Sequence, residues 1–157
     1  NDPEPREPDG HGLAFLSLLG GERSPGWNPR ATGAVAGLTF DTDPADLFQA
    51  ALEGATYNLA EIADQLPEIR EIVATGNALL TNDRWTQLCA DVLGQPVTAS
   101  GVEEGSARGA ALHALERLGA DPDPAPLGRT YEPDAARTQV YAQARDRRRE
   151  LYRRLLG

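Results

Sequence analysis

Between Asp43 and Gly119 the chain alternates helical and extended patterns, and that order constrains its fold more than any other feature. Asp43 is a good helix cap, Pro44 takes the first helical position, and Asp46 stands in the positive first turn. Phe48, Ala51, Leu52, Ala55, Leu59, Ile62, Ala63 and Leu66 recur three and four residues apart, which predicts one buried face, and Pro67 ends the helix. Gly54 inside it costs about 1 kcal/mol against alanine, so it points to close packing against a neighbour.

Residues 69–74 then read as a strand, Thr75-Gly76-Asn77-Ala78 as a turn, and residues 82–93 as a helix buried through Trp85, Leu88, Cys89, Val92 and Leu93. Gly94 caps that helix. Residues 96–99 form a second short strand, and a helix from about 104 to 118 is expected to bury Ala107, Ala110, Ala111, Ala114, Leu115 and Leu118 before Gly119. Strand, helix, strand, helix predicts an α/β fold with a short, mainly parallel sheet flanked by helices.

The flanks are simpler. Residues 1–12 hold three prolines, are rich in charge and have almost nothing to bury, so a tail or linker with little order is expected. An apolar run at 13–19 leads into a glycine- and proline-rich loop at 20–29, and residues 34–40 read as a short strand or the approach to the first helix. After the loop Asp121-Pro122-Asp123-Pro124-Ala125-Pro126, a last helix runs from near Pro133 to Leu156. The division is thus a tail (1–12), an α/β unit (13–119), and a proline-rich loop with a terminal helix (120–157), with no internal repeat. The chain contains no methionine and opens inside a proline-rich run, from which a piece of a longer polypeptide is expected.

Composition narrows the function classes. The net charge is −9 and every basic side chain apart from two histidines is arginine, so no lysine is present to make a Walker-type phosphate loop. No apolar stretch nears the roughly 20 residues of a membrane helix, and the N-terminus lacks a signal-peptide pattern. The one cysteine, Cys89, has no disulfide partner and no neighbouring zinc ligands, which suits a cytoplasmic location. Charge is unevenly spread: residues 1–128 carry seven arginines against twenty acids, whereas residues 129–157 carry eight against four. Arg145, Arg147, Arg148, Arg149, Arg153 and Arg154 could attract phosphate backbones. Interspersed acids, and the apolar set Val140, Tyr141, Ala144, Leu151, Tyr152 and Leu155, favour a packed helix with a solvated outer face. Neither nucleic acid nor membrane is expected as a partner.

One candidate site stands out. The turn Thr75-Gly76-Asn77-Ala78 lies between a strand and a helix whose cap is Asn82, where free amides and the positive helix end converge as in nucleotide-binding α/β folds. By geometry alone the signal is weak, since most strand–turn–helix units place a glycine and a cap there. Gly105-Ser106-Ala107-Arg108-Gly109 is not a nucleophile elbow, because the serine is not centred between its glycines. Cys89 on a buried face reads as a small hydrophobe, and His11 and His113 as packing or surface residues. No catalytic residue and no metal ligand is assigned.

With these residues in place, the chain resembles the C-terminal portion of an FGGY-family carbohydrate kinase. Three motifs carry the resemblance. Gly21-Glu22-Arg23-Ser24-Pro25-Gly26-Trp27-Asn28-Pro29 is similar to a glycine-glutamate-arginine-x-proline segment, and looks most like the gluconate- and xylulose-kinase branches. Gly33-Ala34-Val35-Ala36-Gly37-Leu38, seven residues, then Asp46-Leu47-Phe48-Gln49-Ala50-Ala51-Leu52-Glu53 fit the family's second signature. The third is Thr75-Gly76-Asn77-Ala78 through Trp85 to Gly94, followed by Glu104 to Ala111.

The resemblance implies part of an actin-like, ribonuclease H-like ATPase domain. Its whole parent would transfer the γ-phosphate of ATP, with Mg²⁺, to a sugar, sugar acid or polyol. In such kinases the first domain supplies most sugar contacts and the second holds the adenosine. Gly76-Asn77-Ala78 with Thr75 match the adenine-nucleotide loop, and Asn82 matches a position that approaches the adenine. The family commonly has two glycines where this chain has Gly76 and Asn77; asparagine tolerates left-handed angles, but its side chain narrows the pocket. The catalytic aspartate and the glycine-threonine phosphate loop have no match here, so the isolated chain is expected to be inactive. The alternative is a non-catalytic interaction module, pairing through an exposed sheet edge, or a regulatory nucleotide-binding module. Homo-oligomer formation is compatible with either.

Overall fold

The computed structural model describes residues 6–156; the first five residues of the expected tail lie outside the described residues. Ten elements follow in order: β1 (Ala14–Leu16), β2 (Ala34–Ala36), α1 (Pro44–Ala63), β3 (Val73–Ala74), α2 (Asn77–Leu80), α3 (Asp83–Leu93), β4 (Val97–Ser100), α4 (Gly105–Arg117), β5 (Leu127–Tyr131) and α5 (Ala135–Leu156). β1 and β2 pair antiparallel with Phe15 opposite Val35. In the second sheet, of order β3-β4-β5, β3 and β4 pair parallel with Ala74 opposite Ala99, and β5 joins β4 antiparallel.

Local chemistry sets the helix ends. Asp43 accepts the Asp46 amide at 2.9 Å while the Asp46 carboxylate accepts the Asp43 amide at 3.1 Å, a reciprocal cap that satisfies two otherwise orphaned donors. Asn82 accepts the Trp85 amide at 3.0 Å and so starts α3, and Gly94 ends it at φ +64°.

Three small cores hold the elements together. Tyr57 and Ala60 of α1 meet Leu88 and Val92 of α3 and Tyr141 and Ala144 of α5. The Tyr57 and Tyr141 rings lie tilted with centroids 6.3 Å apart. Ala74, Cys89, Ala90, Val97 and Tyr131 fill the space between α3 and the three-stranded sheet. Leu16, Leu18 and Ala31 pack against Leu151, Tyr152 and Leu156 at the end of α5.

The structure departs from the sequence expectations at several points. β5 was not expected, and only residues 73–74 of the predicted 69–74 strand pair. The turn expected at 75–78 runs directly into the one-turn helix α2. From Arg6 onward the expected loose tail is ordered: Arg6 pairs with Asp43, and His11 is buried beneath α1.

The face of α1 that is buried is nearly opposite the predicted one. Gln49, Ala50, Glu53, Gly54, Thr56, Tyr57 and Ala60 are inside, whereas Leu59, Ile62 and Leu66 are exposed. The inward face wins because Gly54 lets β1 approach and because Glu53 gathers hydrogen-bond donors from the 9–13 segment. α4 likewise has no fully buried residue, and Leu118 is 84% exposed, so its alanine face lacks a covering layer among the described residues. In α5, Val140 and Leu155 are exposed, and Arg148, expected on a solvated face, is buried.

Candidate nucleotide-facing turn

β3 delivers the chain to Thr75 and Gly76. Gly76 adopts φ +91°, ψ 145°, a conformation closed to side-chain-bearing residues without strain, and a Cβ built on it meets nothing within 4 Å. Glycine is therefore required by the backbone, and the space beside it is open. Thr75, Gly76, Asn77 and Ala78 are all exposed, so the bend reaches the surface rather than the packed interior.

α2 is tied to α3 through Thr86, whose hydroxyl donates to the Leu79 carbonyl at 2.8 Å, and it closes through Thr81, whose hydroxyl donates to the Asn77 carbonyl at 2.6 Å. At four residues α2 is too short for a useful macrodipole. The helix end expected near the turn is that of α3, capped by the Asn82 side chain as the sequence predicts, but α2 stands between it and Gly76. Asn82 thus has a structural role as a cap, and its amide group stands one short helix beyond Gly76.

What comes close to the turn is α4. A Cβ on Gly105 would lie 2.6 Å from the Thr75 hydroxyl, so the start of α4 stands close beside the residue that follows β3. α4 begins with no side-chain cap. Its first amides, the Thr75 hydroxyl and the open side of Gly76 therefore border one surface region. That surface offers hydrogen-bond donors and room.

The sequence expectation assigned no metal. The structure gathers Asp9, His11 and Glu53 with ligand atoms within 4.8 Å of one another, under α1. Their hydrogen bonds fit a closed network better than a cation. The Leu13 amide donates to His11 Nδ1 at 2.9 Å, which places the ring proton on Nε2, and Nε2 donates to Glu53 at 3.1 Å. Glu53, 1% exposed, also accepts from Gln49 at 2.8 Å, Tyr57 at 3.1 Å and the Asp9 amide at 3.3 Å. Mg²⁺ has no site in that donor set, since a metal on Nε2 would need the proton moved to a nitrogen already accepting a bond.

Sequence reasoning missed this network, although the Gln49, Glu53, Tyr57 spacing of four was a readable signal. It also missed Arg148, which shares the seam of Tyr141, Ala144 and Leu151 at the same helical period. Cys89, beneath the sheet, behaves as expected of a small hydrophobe: burial pushes its thiol up to about 11.

Comparison with known proteins places this geometry. A model of the FGGY family of carbohydrate kinases, C-terminal domain, matches residues 4–116. The xylulose kinase of Escherichia coli (strain K12) is 34% identical over 157 residues, which covers 90% of this chain and 31% of that protein. A gluconokinase of Bacillus licheniformis is 36% identical over 117 residues, 71% of this chain and 23% of that protein. Among solved structures, ligand-bound xylulose kinase from Lactobacillus acidophilus superposes with a TM-score of 0.85 at 27% identity, over 96% of this chain and 33% of that one. Gluconate kinase from the same organism gives 0.83 at 27% identity, over 95% and 32%. This chain thus spans about a third of the length of the proteins it matches. The expected fold class, part of an actin-like α/β domain, stands on those superpositions. Signature motifs, topology and the family match agree, and the chain belongs to the FGGY family of carbohydrate kinases.

Proposed function

We propose that this chain is the ATP-binding C-terminal part of a kinase that transfers the γ-phosphate of ATP to a hydroxyl of a sugar, sugar acid or polyol. The observation that carries the reading is the open, glycine-only bend at Gly76 beside the uncapped start of α4. Thr75, Gly76, Asn77 and Ala78 would border the adenosine, and Asn82 would fix the helix behind it. ATP would enter as its magnesium complex, the metal bridging phosphates and offsetting their charge. No residue of this chain is assigned to the metal or to the base that accepts the hydroxyl proton. The chain alone is therefore proposed to bind nucleotide without turning it over, and a cytoplasmic location would suit the metabolite that the whole kinase consumes.

Titration calorimetry with ADP tests this. Gly76→Val places a β-branched side chain at φ +91° in the open space and should weaken binding at least tenfold, whereas Asn77→Gly, which widens the pocket, should preserve or strengthen it. Absence of ADP binding to both the parent chain and Asn77→Gly would refute the reading. A coupled ATP-turnover assay on the isolated chain should give no sugar-dependent rate.

A second reading, an interaction module, has its own support. Leu59, Ile62, Leu66, Ile69, Val73 and Leu93 help line an apolar groove of about 430 Å³, and β3 beside it is an edge strand. Polypeptide supplied by another chain could cover both. Size-exclusion chromatography of the chain mixed with the upstream part of the Escherichia coli xylulose kinase should then show a complex that Leu59→Ser with Ile62→Ser abolishes; a monomer that ignores the added polypeptide would remove this reading.

A further inference from the structure

We propose that the cleft between the 22–26 loop, the C-terminal half of α1 and the last turns of α5 is a binding site for a small singly charged oxyanion of the carboxylate class, anchored by Arg148. This site is separate from the Gly76 bend, and the proposal does not rest on the nucleotide reading.

Arg148 is 3% exposed. Among the described residues its one hydrogen bond runs from a terminal nitrogen to the Asn58 side-chain carbonyl, a neutral acceptor. Its Nε is buried with no partner, and it makes no ion pair within 4.0 Å. The neighbouring arginines differ. Arg145 lies 3.1 Å from Glu61, Arg149 lies 3.1 Å from Glu61 and 2.8 Å from Asp64, and Arg153 lies 2.7 Å from Glu150. The buried cation is thus the one left without a carboxylate, the reverse of what desolvation favours.

The two carboxylates that share the cleft do not pair with it: Glu22, itself buried, accepts the Tyr152 hydroxyl, and Glu61 is shared by Arg145 and Arg149. Arg148 lines a cleft of about 370 Å³ together with Pro25, Gly26, Asn58, Tyr152 and Arg153. That volume is at the small end of ligand sites. A hydrocarbon ligand would leave the donors unsatisfied, and a cation would be repelled. A carboxylate offers two acceptor oxygens that match the planar guanidinium fork. Three arginines and two glutamates line the cleft, an excess of one positive charge, which suits a monoanion over a phosphate dianion.

The test is a thermal-shift titration of the full chain with sodium acetate, against sodium chloride at equal ionic strength and against sodium phosphate. Acetate at about ten times its dissociation constant should raise Tm by roughly 3–6 °C over chloride, with phosphate giving less. Arg148→Met keeps the length of the side chain and removes the charge; it should abolish the acetate shift measured against its own basal Tm. Arg153→Glu alters a lining residue whose side chain is 71% exposed, so it leaves the fold in place and should weaken acetate at least fivefold. No acetate response in the parent chain, an undiminished response in Arg148→Met, a phosphate response larger than that to acetate, or unchanged acetate affinity in Arg153→Glu would each overturn the proposal.

Discussion

Replacing Gly54 by alanine should destabilise the chain, although the same change in an open helix does the opposite. A Cβ at Gly54 would stand 2.6 Å from the Phe15 carbonyl oxygen and 3.1 Å from the Phe15 Cβ, both on β1. Backbone cannot swing aside as a flexible side-chain end can. α1 and β1 would have to part by roughly 0.5–1 Å to restore ordinary contact. That movement strains the bonds that fasten the two elements, Ser17 to the Gly54 carbonyl at 3.3 Å and Asn58 to Ser17 at 2.9 Å, beside the fully buried Leu16. Overpacking of this kind costs about 1–3 kcal/mol, and alanine returns about 1 kcal/mol of helix propensity. Counting the weakened hydrogen bonds, the variant should lose about 1–2 kcal/mol.

Gly109→Ala supplies the internal control. It lies within α4, and a Cβ there meets nothing within 4 Å, so the propensity gain of up to about 1 kcal/mol should appear undiminished. Urea unfolding followed by the fluorescence of Trp85, whose ring packs against both cores of α3, resolves the two signs through the midpoint. A Gly54→Ala variant as stable as the parent would refute the close approach of α1 to β1. A destabilised Gly109→Ala would show that the face of α4 is covered.

Three further outcomes follow from the buried groups and the caps. Glu53→Ala leaves the Gln49, Tyr57, His11 and Asp9 donors without their shared acceptor, and should cost about 3–5 kcal/mol in the same urea assay; a loss under 1 kcal/mol would mean the network is solvated. Burial holds the Cys89 thiol up to about 11, so iodoacetamide at pH 8 should label native chain orders of magnitude more slowly than urea-unfolded chain, and equal rates would refute its burial. The Asp46 amide foremost, then Arg6, holds the Asp43 carboxyl below the ordinary aspartate value, and the Arg137 amide does the same for Asp134. Because the folded value is the lower one, their stabilisation is present above the ordinary aspartate range and is lost as pH falls through the folded values. Tm should therefore drop between about pH 5 and pH 2, and less steeply in Asp43→Asn; identical acid limbs would refute the cap's share.

How much of this was readable in the residues depended on how local the cause was. Caps were legible, since Asp43, Asn82 and Gly94 act within four residues of themselves. Gly54 pointed to a close approach because glycine inside a helix costs stability that close packing can offset, although Gly109, with open space beside it, shows that the signal is not general. Gly76 marked the bend for the same reason, but the spacing gave no sign that α2 would intervene between it and α3. β5 escaped notice because four of its five residues are exposed and its reason to be a strand lies across the sheet, in Thr98 opposite Thr130 and Val97 opposite Tyr131. The FGGY motifs were legible as a pattern of residues, whereas the Thr75–Gly105 contact that borders the candidate site is a property of the folded chain alone.

The charge asymmetry and the misplaced face of α1 have one explanation. α1 turns its carboxylates toward α5, where Glu61 and Asp64 meet Arg145 and Arg149, while Asp9 meets Arg147. Three of the eight arginines of the C-terminal segment, Arg145, Arg147 and Arg149, are therefore matched by acids from the N-terminal part of the chain, while Arg153 and Arg154 pair with Glu150 of their own helix and stay largely exposed. Periodicity assigns a helix its inner face on the assumption that apolar residues go in, yet α1 buries Glu53 and exposes Leu59 and Ile62, as the turn beyond it exposes Leu66. A helix can do so only if its polar side meets matched donors and its apolar side has a use outside the described contacts. The first condition is met by His11, Tyr57 and Gln49 around Glu53. Under the second reading proposed above, the groove beside β3 would meet the second condition, its apolar lining being covered by polypeptide from another chain.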